Sequence, residues 1–387
     1  MSSPFTRGCL LLLAWSVAAG GEAYKPKPVP SDGPRRESDD VEATVAYNRR
    51  TLVEIYKTQG DRDPAWDNRA IKFLENLGRR FAGDKNAAKL PDLEADARAC
   101  QALGCDDTLV NYGLGFTLVN QGIWDKAEPV VELTMARFMA DKSLPFSRKM
   151  SDPGRMATLR IQRSGGRDAK TDALLRQTLA WTGQALRDGS FRDDEDFVCF
   201  SIVKGIMVAW QERGYRPDEV WPGLLKELGP ADGKHAWLVH LFTGHYEEQR
   251  AGETRIGGSS PDEALKYGWG ISNAALQRAV QAYVAAHKLR PERPEAAERL
   301  IALARYGQTR ETPRYWFDRA VEAEFDRVDA YREYVRSLKP DELLPFADAC
   351  MATGRYDTDI PTIAIDCMRN LALRMNPPTD FFKDPEM

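Results

Sequence analysis

Residues 114–127 run Leu-Gly-Phe-Thr-Leu-Val-Asn-Gln-Gly-Ile-Trp-Asp-Lys-Ala. Small and large side chains alternate here at helical spacings. Gly115, without a Cβ, lets a partner helix approach closely. Gly122 supplies the left-handed residue that ends a helix. Trp124 packs into that turn, and Ala127 leaves room for a second helix to cross tightly. The stretch predicts two antiparallel helices, 108–121 and 123–140, with a short connection.

Outward from this pair, apolar residues recur with period 3.6 between Pro and Gly, and strand signals are nearly absent. Asp63-Pro64 opens a helix whose one face carries Trp66, Ala70, Phe73, Leu74, Leu77 and Phe81, closed by Gly83. Pro91 opens the next, which ends at Gly104. Helices resume at 168–187. The segment 194–213 is apolar on most sides, which predicts a helix buried within the array. Helices are expected at 217–228 and 231–243, with Gly244 ending the latter. Further helices are expected at 261–288, 294–306, 313–324, 326–338, 341–353 and 361–375. Helices this short cannot bury an apolar stripe alone, but stacked pairs can. The expected fold is all-α, stacked antiparallel helix pairs forming a superhelical array, with a closed ring of helices as the competitor. The expected layout is a leader at 1–23, a flexible Pro-rich tether at 24–40 and N-terminal repeats at 41–140. A basic, irregular connection follows at 141–167, then central helices at 168–251 and a loop at 252–260. C-terminal repeats at 261–375 and a tail at 376–387 complete it.

The pattern Leu114-Gly115-x-x-Leu118-x-x-x-Gly122-x-Trp124-x-x-Ala127 resembles the tetratricopeptide repeat. That implies a TPR-like array with a protein or peptide partner on its concave surface. Val131 and Thr134 depart from the repeat, which places an aromatic and an alanine there, so the match covers half a unit. Gly354-x-Tyr356 repeats the glycine–aromatic turn. Tyr315-Trp316-Phe317-x-Arg319-Ala320 looks like a second helix of such a unit. The chain also resembles an exported bacterial helical-repeat family of unassigned function. The similarity lies at Gly104-Cys105-Asp106-Asp107 and in the segment from Ala285 through Trp316-Phe317 to Thr353–Thr358. It implies no catalytic residue.

Arg7, the apolar stretch 9–19 and the small residues after it follow the order of a secretory signal peptide, cleaved after Ala19 or Ala23. The stretch is too short to span a bilayer, which takes about 20 residues. Export to the periplasm or exterior is expected. The net charge of −4, with Lys and Arg scattered among acids, argues against a nucleic-acid surface. Of six cysteines, five lie beyond the leader, so at least one is unpaired. Gly104 at a helix end would bring Cys100 and Cys105 together. Cys350 and Cys367 fall on two helices of a hairpin. These two pairs are the candidate disulfides, and Cys199 reads as a buried thiol. The alternative makes all five small core residues.

No catalytic constellation stands out. His235, His240 and His245 are spaced by five, which puts them on different helix faces, so no metal site is assigned. Asp193–Asp196 suits a helix N-terminus better than a calcium loop. Asp357 and Asp359 read as caps of the following helix. Gly257–Ser260 lacks the strand and the Lys of a phosphate loop. No cofactor is implied. Trp181, Trp210, Trp221, Trp237 and Trp316 read as core, and Trp269 is the candidate binding-surface residue. The expected function is a non-catalytic protein–protein interaction or scaffolding module of the cell envelope or exterior. One alternative is a helical-ring enzyme acting on cell-wall glycan or another extracellular polymer, with carboxylates about 5–10 Å apart in a groove. The other is a structural spacer.

Overall fold

Asp107 starts the deciding helix pair. Its carboxylate accepts the N–H groups of Leu109 and Val110 at 2.7 and 3.1 Å, capping a helix with otherwise unpaired donors. A computed structural model describes residues 26–256 and 269–374, without the side chains of 253–256 and 269–272. In it the pair is α5 (Thr108–Asn120) and α6 (Trp124–Ala140). Gly122 takes φ +71° between them. A Cβ on Gly115 would stand 3.1 Å from a Val131 methyl, so the glycine lets the two helices cross more closely than a larger residue would.

The described chain is helical, without strands. Before the pair come α1 (Glu37–Asn48), α2 (Glu54–Gln59), α3 (Asp67–Phe81) and α4 (Leu90–Ala102). After it come α7 (Phe146–Lys149), α8 (Asp152–Ser164), α9 (Ala169–Arg187), α10 (Asp196–Glu212), α11 (Pro217–Leu228) and α12 (Ala236–Ile256). The chain continues with α13 (Trp269–Leu289), α14 (Glu295–Arg305), α15 (Pro313–Ala323), α16 (Val328–Ser337), α17 (Pro340–Ala352) and α18 (Ile363–Arg374). Most helices pack on the next or the next but one, which makes a stack of antiparallel pairs. Among the described residues no helix is long and apolar enough to cross a membrane.

Helix α10 departs from the neighbour-to-neighbour rule. It touches α1, α8, α11 and α12. That is why its sequence is apolar on most sides: Phe197, Val198, Val203, Met207 and Trp210 are buried against different partners. Its Ser201 and Gly205 stay exposed and face a hollow.

Four expectations change. Residues 26–36 do not hang free. The Lys27 N–H donates to Asp318 at 3.1 Å, the Phe325 N–H to the Arg35 carbonyl at 3.4 Å, and Arg355 to the Ser31 carbonyl. The Glu37 N–H, opening α1, donates to Asp326 at 2.8 Å. An extended, proline-rich backbone has unpaired donors and acceptors, and the charged side chains of the last helices satisfy them. The segment 141–167 is not irregular throughout, since α8 occupies thirteen of its residues. Asp357 and Asp359 do not cap a helix with their side chains. Asp357 pairs with Arg355 and Arg36, and Asp359 with Lys85 at 3.1 Å. These pairs and the strap bring the two ends of the array together.

Gly244 does not end a helix either, because α12 runs through it. A Cβ there would stand 2.5–2.7 Å from ring atoms of buried Tyr283 on α13. Glycine is present for this close approach. The ring cannot withdraw, because its hydroxyl donates to Glu248 at 2.5 Å. Gly244→Ala is therefore expected to destabilise by about 1–3 kcal/mol through overpacking, although alanine is the better helix former by up to ~1 kcal/mol. Urea denaturation checks the sign; a stabilised variant would show that helix propensity, not the crossing, governs this position.

Candidate anion-binding cavity

The segment around α7 and α8 builds the site. Asp152 and Pro153 form the first turn of α8, and Arg155 follows one turn later on the same face. Arg155 ion-pairs with Asp152, and both are buried. Its guanidinium lies 4.3 Å over the Tyr112 ring and 5.3 Å over Phe116, both on α5. Arg148 on α7 is also buried. It donates to Thr51 at 2.9 Å and to Asn48. A π-helical segment, Arg49–Val53, joins α1 to α2 and carries that Thr51. Its wider turn is a local departure of the kind often found at functional sites. The Arg148 guanidinium sits 4.8 Å over Tyr47 and 5.8 Å over Phe81. Arg213, just past the end of α10, donates to Thr158 at 2.8 Å and to the Ala209 carbonyl, and lies 5.5 Å over Trp210.

These groups line one cavity of about 360 Å3, within the range of small-ligand sites. Phe81, Tyr112 and Phe116 are on its lining, as are Ile202, Gly205 and Trp210 from α10. Three arginines and no carboxylate line it, and Asp152, off the lining, pairs with Arg155. Among the described residues, no carboxylate lies within ion-pair distance of Arg148 or Arg213. The lining holds three cations, one of them paired with Asp152; Glu212, exposed and off the lining, acts on Arg213 from beyond ion-pair distance.

The Tyr112 hydroxyl reflects this positive potential, while burial dominates at Arg213 and Asp152. Burial raises the Tyr112 hydroxyl, but the nearby Arg155 and Arg148 outweigh it and hold the group below the ordinary phenol value. Burial pushes Arg213 down to about 10, opposed by Glu212 and helped by Arg155, so it remains cationic at neutral pH. Burial pushes Asp152 up to about 6 against the pull of Arg155. Trp210 is fully buried, and its Nε1–H finds no acceptor among the described residues. A buried donor without a partner is costly, and a bound acceptor in this cavity would relieve it.

Two other hollows flank the N-terminal strap. One of about 220 Å3 contains Lys27, Asp318 and Glu322, and another of about 440 Å3 contains Arg35, Arg319 and Glu322. Their cations are paired: Lys27 and Arg319 with Glu322, Arg35 with Asp40. Size alone favours the larger one; uncompensated buried charge singles out the arginine cavity.

The sequence candidates lie elsewhere. The Gly104 turn forms as expected, with φ +101° and the Cys105 N–H donating to the Cys100 carbonyl at 3.1 Å. Yet Cys100, Cys105, Cys350 and Cys367 are free and buried, as is Cys199, so neither expected disulfide is formed in this structure. Burial pushes the Cys100, Cys105 and Cys367 thiols up to about 11 and Cys350 to about 12. Thiols are expected to resist alkylation in the native protein with or without reductant, and to label in denaturant. Labelling that in denaturant still needs reductant would reinstate the disulfides. The side chain of Trp269 lies outside the described residues. Trp181, Trp210, Trp221, Trp237 and Trp316 are buried. His245 is enclosed by Phe200, Trp221 and Tyr283, and burial holds its pKa well below the ordinary value. Among the described residues no three metal-ligating side chains converge.

Sequence reasoning passed over Arg148, Arg155, Arg213 and Tyr112. One signal was present. Arg148 and Arg155 are seven residues apart, and Asp152-Pro153 between them is a helix start. No family model, curated protein or solved structure matches the chain.

Proposed function

We propose that this protein is a non-catalytic binding module of the cell envelope or exterior, a tetratricopeptide-like array whose partner seats an anionic group in the arginine cavity. The observation that carries this is the buried guanidinium of Arg148 and the half-buried one of Arg213 on one cavity, neither in an ion pair with a carboxylate. Burying uncompensated charge costs free energy that a bound anion returns. The aromatic faces beneath each guanidinium hold it in place, and each keeps one terminal nitrogen, Nη1 of Arg148 and Nη2 of Arg213, outside its bonds to neutral groups, able to donate to an oxyanion. The partner is a protein or peptide, in keeping with helix-repeat surfaces generally.

The test compares capture of envelope and medium proteins by the wild type and by Arg213→Gln at one ionic strength. A partner retained by the wild type, lost by the variant and released by added inorganic phosphate supports the reading. Equal retention by both proteins, or none by either, refutes it.

A further inference from the structure

The charge count limits what fills the cavity, if the binding reading above holds. A carboxylate brings one negative charge and is satisfied by one guanidinium, fork to fork. Here Arg155 is already occupied in part by Asp152. Arg148 and Arg213 remain, each on its own aromatic rings and each bonded to neutral groups. Two cations on the lining without an ion-pair partner favour an occupant with two charges. A phosphate monoester carries about −1.5 to −2 at neutral pH, with three acceptor oxygens on one small centre. Its remaining body has an apolar surface to lie on: Ile202, Ile206 and Phe116 also line the cavity. Gly205 keeps that side open, since a Cβ there would meet nothing within 4 Å. A mid-helix glycine costs up to ~1 kcal/mol relative to alanine, and no packing contact accounts for it.

We propose that the arginine cavity binds a phosphate monoester dianion that carries an apolar or aromatic body. Arg148 and Arg213 receive the phosphate oxygens, the unpartnered Trp210 Nε1–H supplies a neutral donor, and the apolar residues of α10 receive the body.

Calorimetric titration of the full protein at fixed ionic strength and pH 7.5 tests this with four probes: phenyl phosphate, phenyl sulfate, benzoate and inorganic phosphate. Phenyl sulfate has the same tetrahedral shape with one charge fewer, and benzoate has the ring with a carboxylate. Phenyl phosphate is expected to bind about 10–100-fold more tightly than phenyl sulfate or benzoate, the worth of one charged hydrogen-bonding group, and about 10-fold or more tighter than inorganic phosphate, the worth of burying part of the ring. Arg213→Gln is expected to lose a similar factor. Gly205→Leu fills the open side while leaving every charge in place, and is expected to abolish binding with an unchanged circular dichroism spectrum and a cooperative melt. Equal affinity for phenyl sulfate or benzoate overturns the dianion, and equal affinity for inorganic phosphate overturns the body; either leaves the anion-binding reading standing. If none of the four binds, or if neither variant weakens binding, both fall.

Discussion

Arg293→Met is expected to lower the stability of the fold by about 3–5 kcal/mol, the usual cost of removing one partner from a buried ion pair. Arg293 is 2% exposed and precedes α14. It donates to both oxygens of Asp40 on α1 at 3.0 and 2.9 Å, and also pairs with Glu295. Its guanidinium covers the Phe197 ring at 4.4 Å. The residue thus joins the first helix to the C-terminal half and to α10. Methionine preserves most of the volume but leaves the buried Glu295 without its cation and Asp40 with Arg35 alone. The loss should exceed that of Asp40→Asn, which leaves Arg293 its bond to Glu295. Urea denaturation measures both; a loss below about 1 kcal/mol for Arg293→Met, on the scale of an exposed pair, would mean the ends of the array are not joined as described.

Trp221→Ala is expected to cost about 3–5 kcal/mol, the range for deleting a buried large aromatic side chain. Trp221 on α11 is fully buried. Its ring stacks on His245 at 6.4 Å and lies 5.9 Å from Phe242. Its Nε1–H donates to Gln249 at 2.8 Å. Alanine opens a cavity between α11 and α12 and strands the Gln249 acceptor. Trp221→Phe keeps the ring stack and should lose much less. Equal losses for the two variants in urea would show that the hydrogen bond, not the packing, holds this junction.

How much of this was legible in the sequence differs between fold and site. The helix pair at 108–140 was legible because its glycines and its tryptophan each have a single local job. Helix α10 was legible as a buried element from its all-round apolar surface. The cavity was not. Period-3.6 reading finds residues that hide from water, and Arg148 and Arg155 hide as well, on Tyr47, Tyr112 and Phe116 instead of on other aliphatic residues. Their charge, among Gly and Pro, made 141–167 look like a basic, irregular connection. Arg213 escaped notice because its side-chain partner Thr158 comes from α8, more than fifty residues earlier. The strap at 26–36 was misread for a similar reason: its bonds run to Asp318, Phe325 and Arg355, which no local pattern connects to it. Gly244 shows the opposite error, a residue given a local role when its reason lies on another helix.

The most direct measurement of the central claim is the melting temperature in rising inorganic phosphate at constant ionic strength, for wild type and Gly205→Leu side by side. Phosphate stabilises many proteins without binding them, by exclusion from their surface, and the two chains share that effect. A seated anion adds stabilisation that grows with the logarithm of its concentration above Kd. The expected result is a larger rise for the wild type than for Gly205→Leu, with the difference growing through the titration. Parallel curves would contradict it and leave the buried arginines without a ligand.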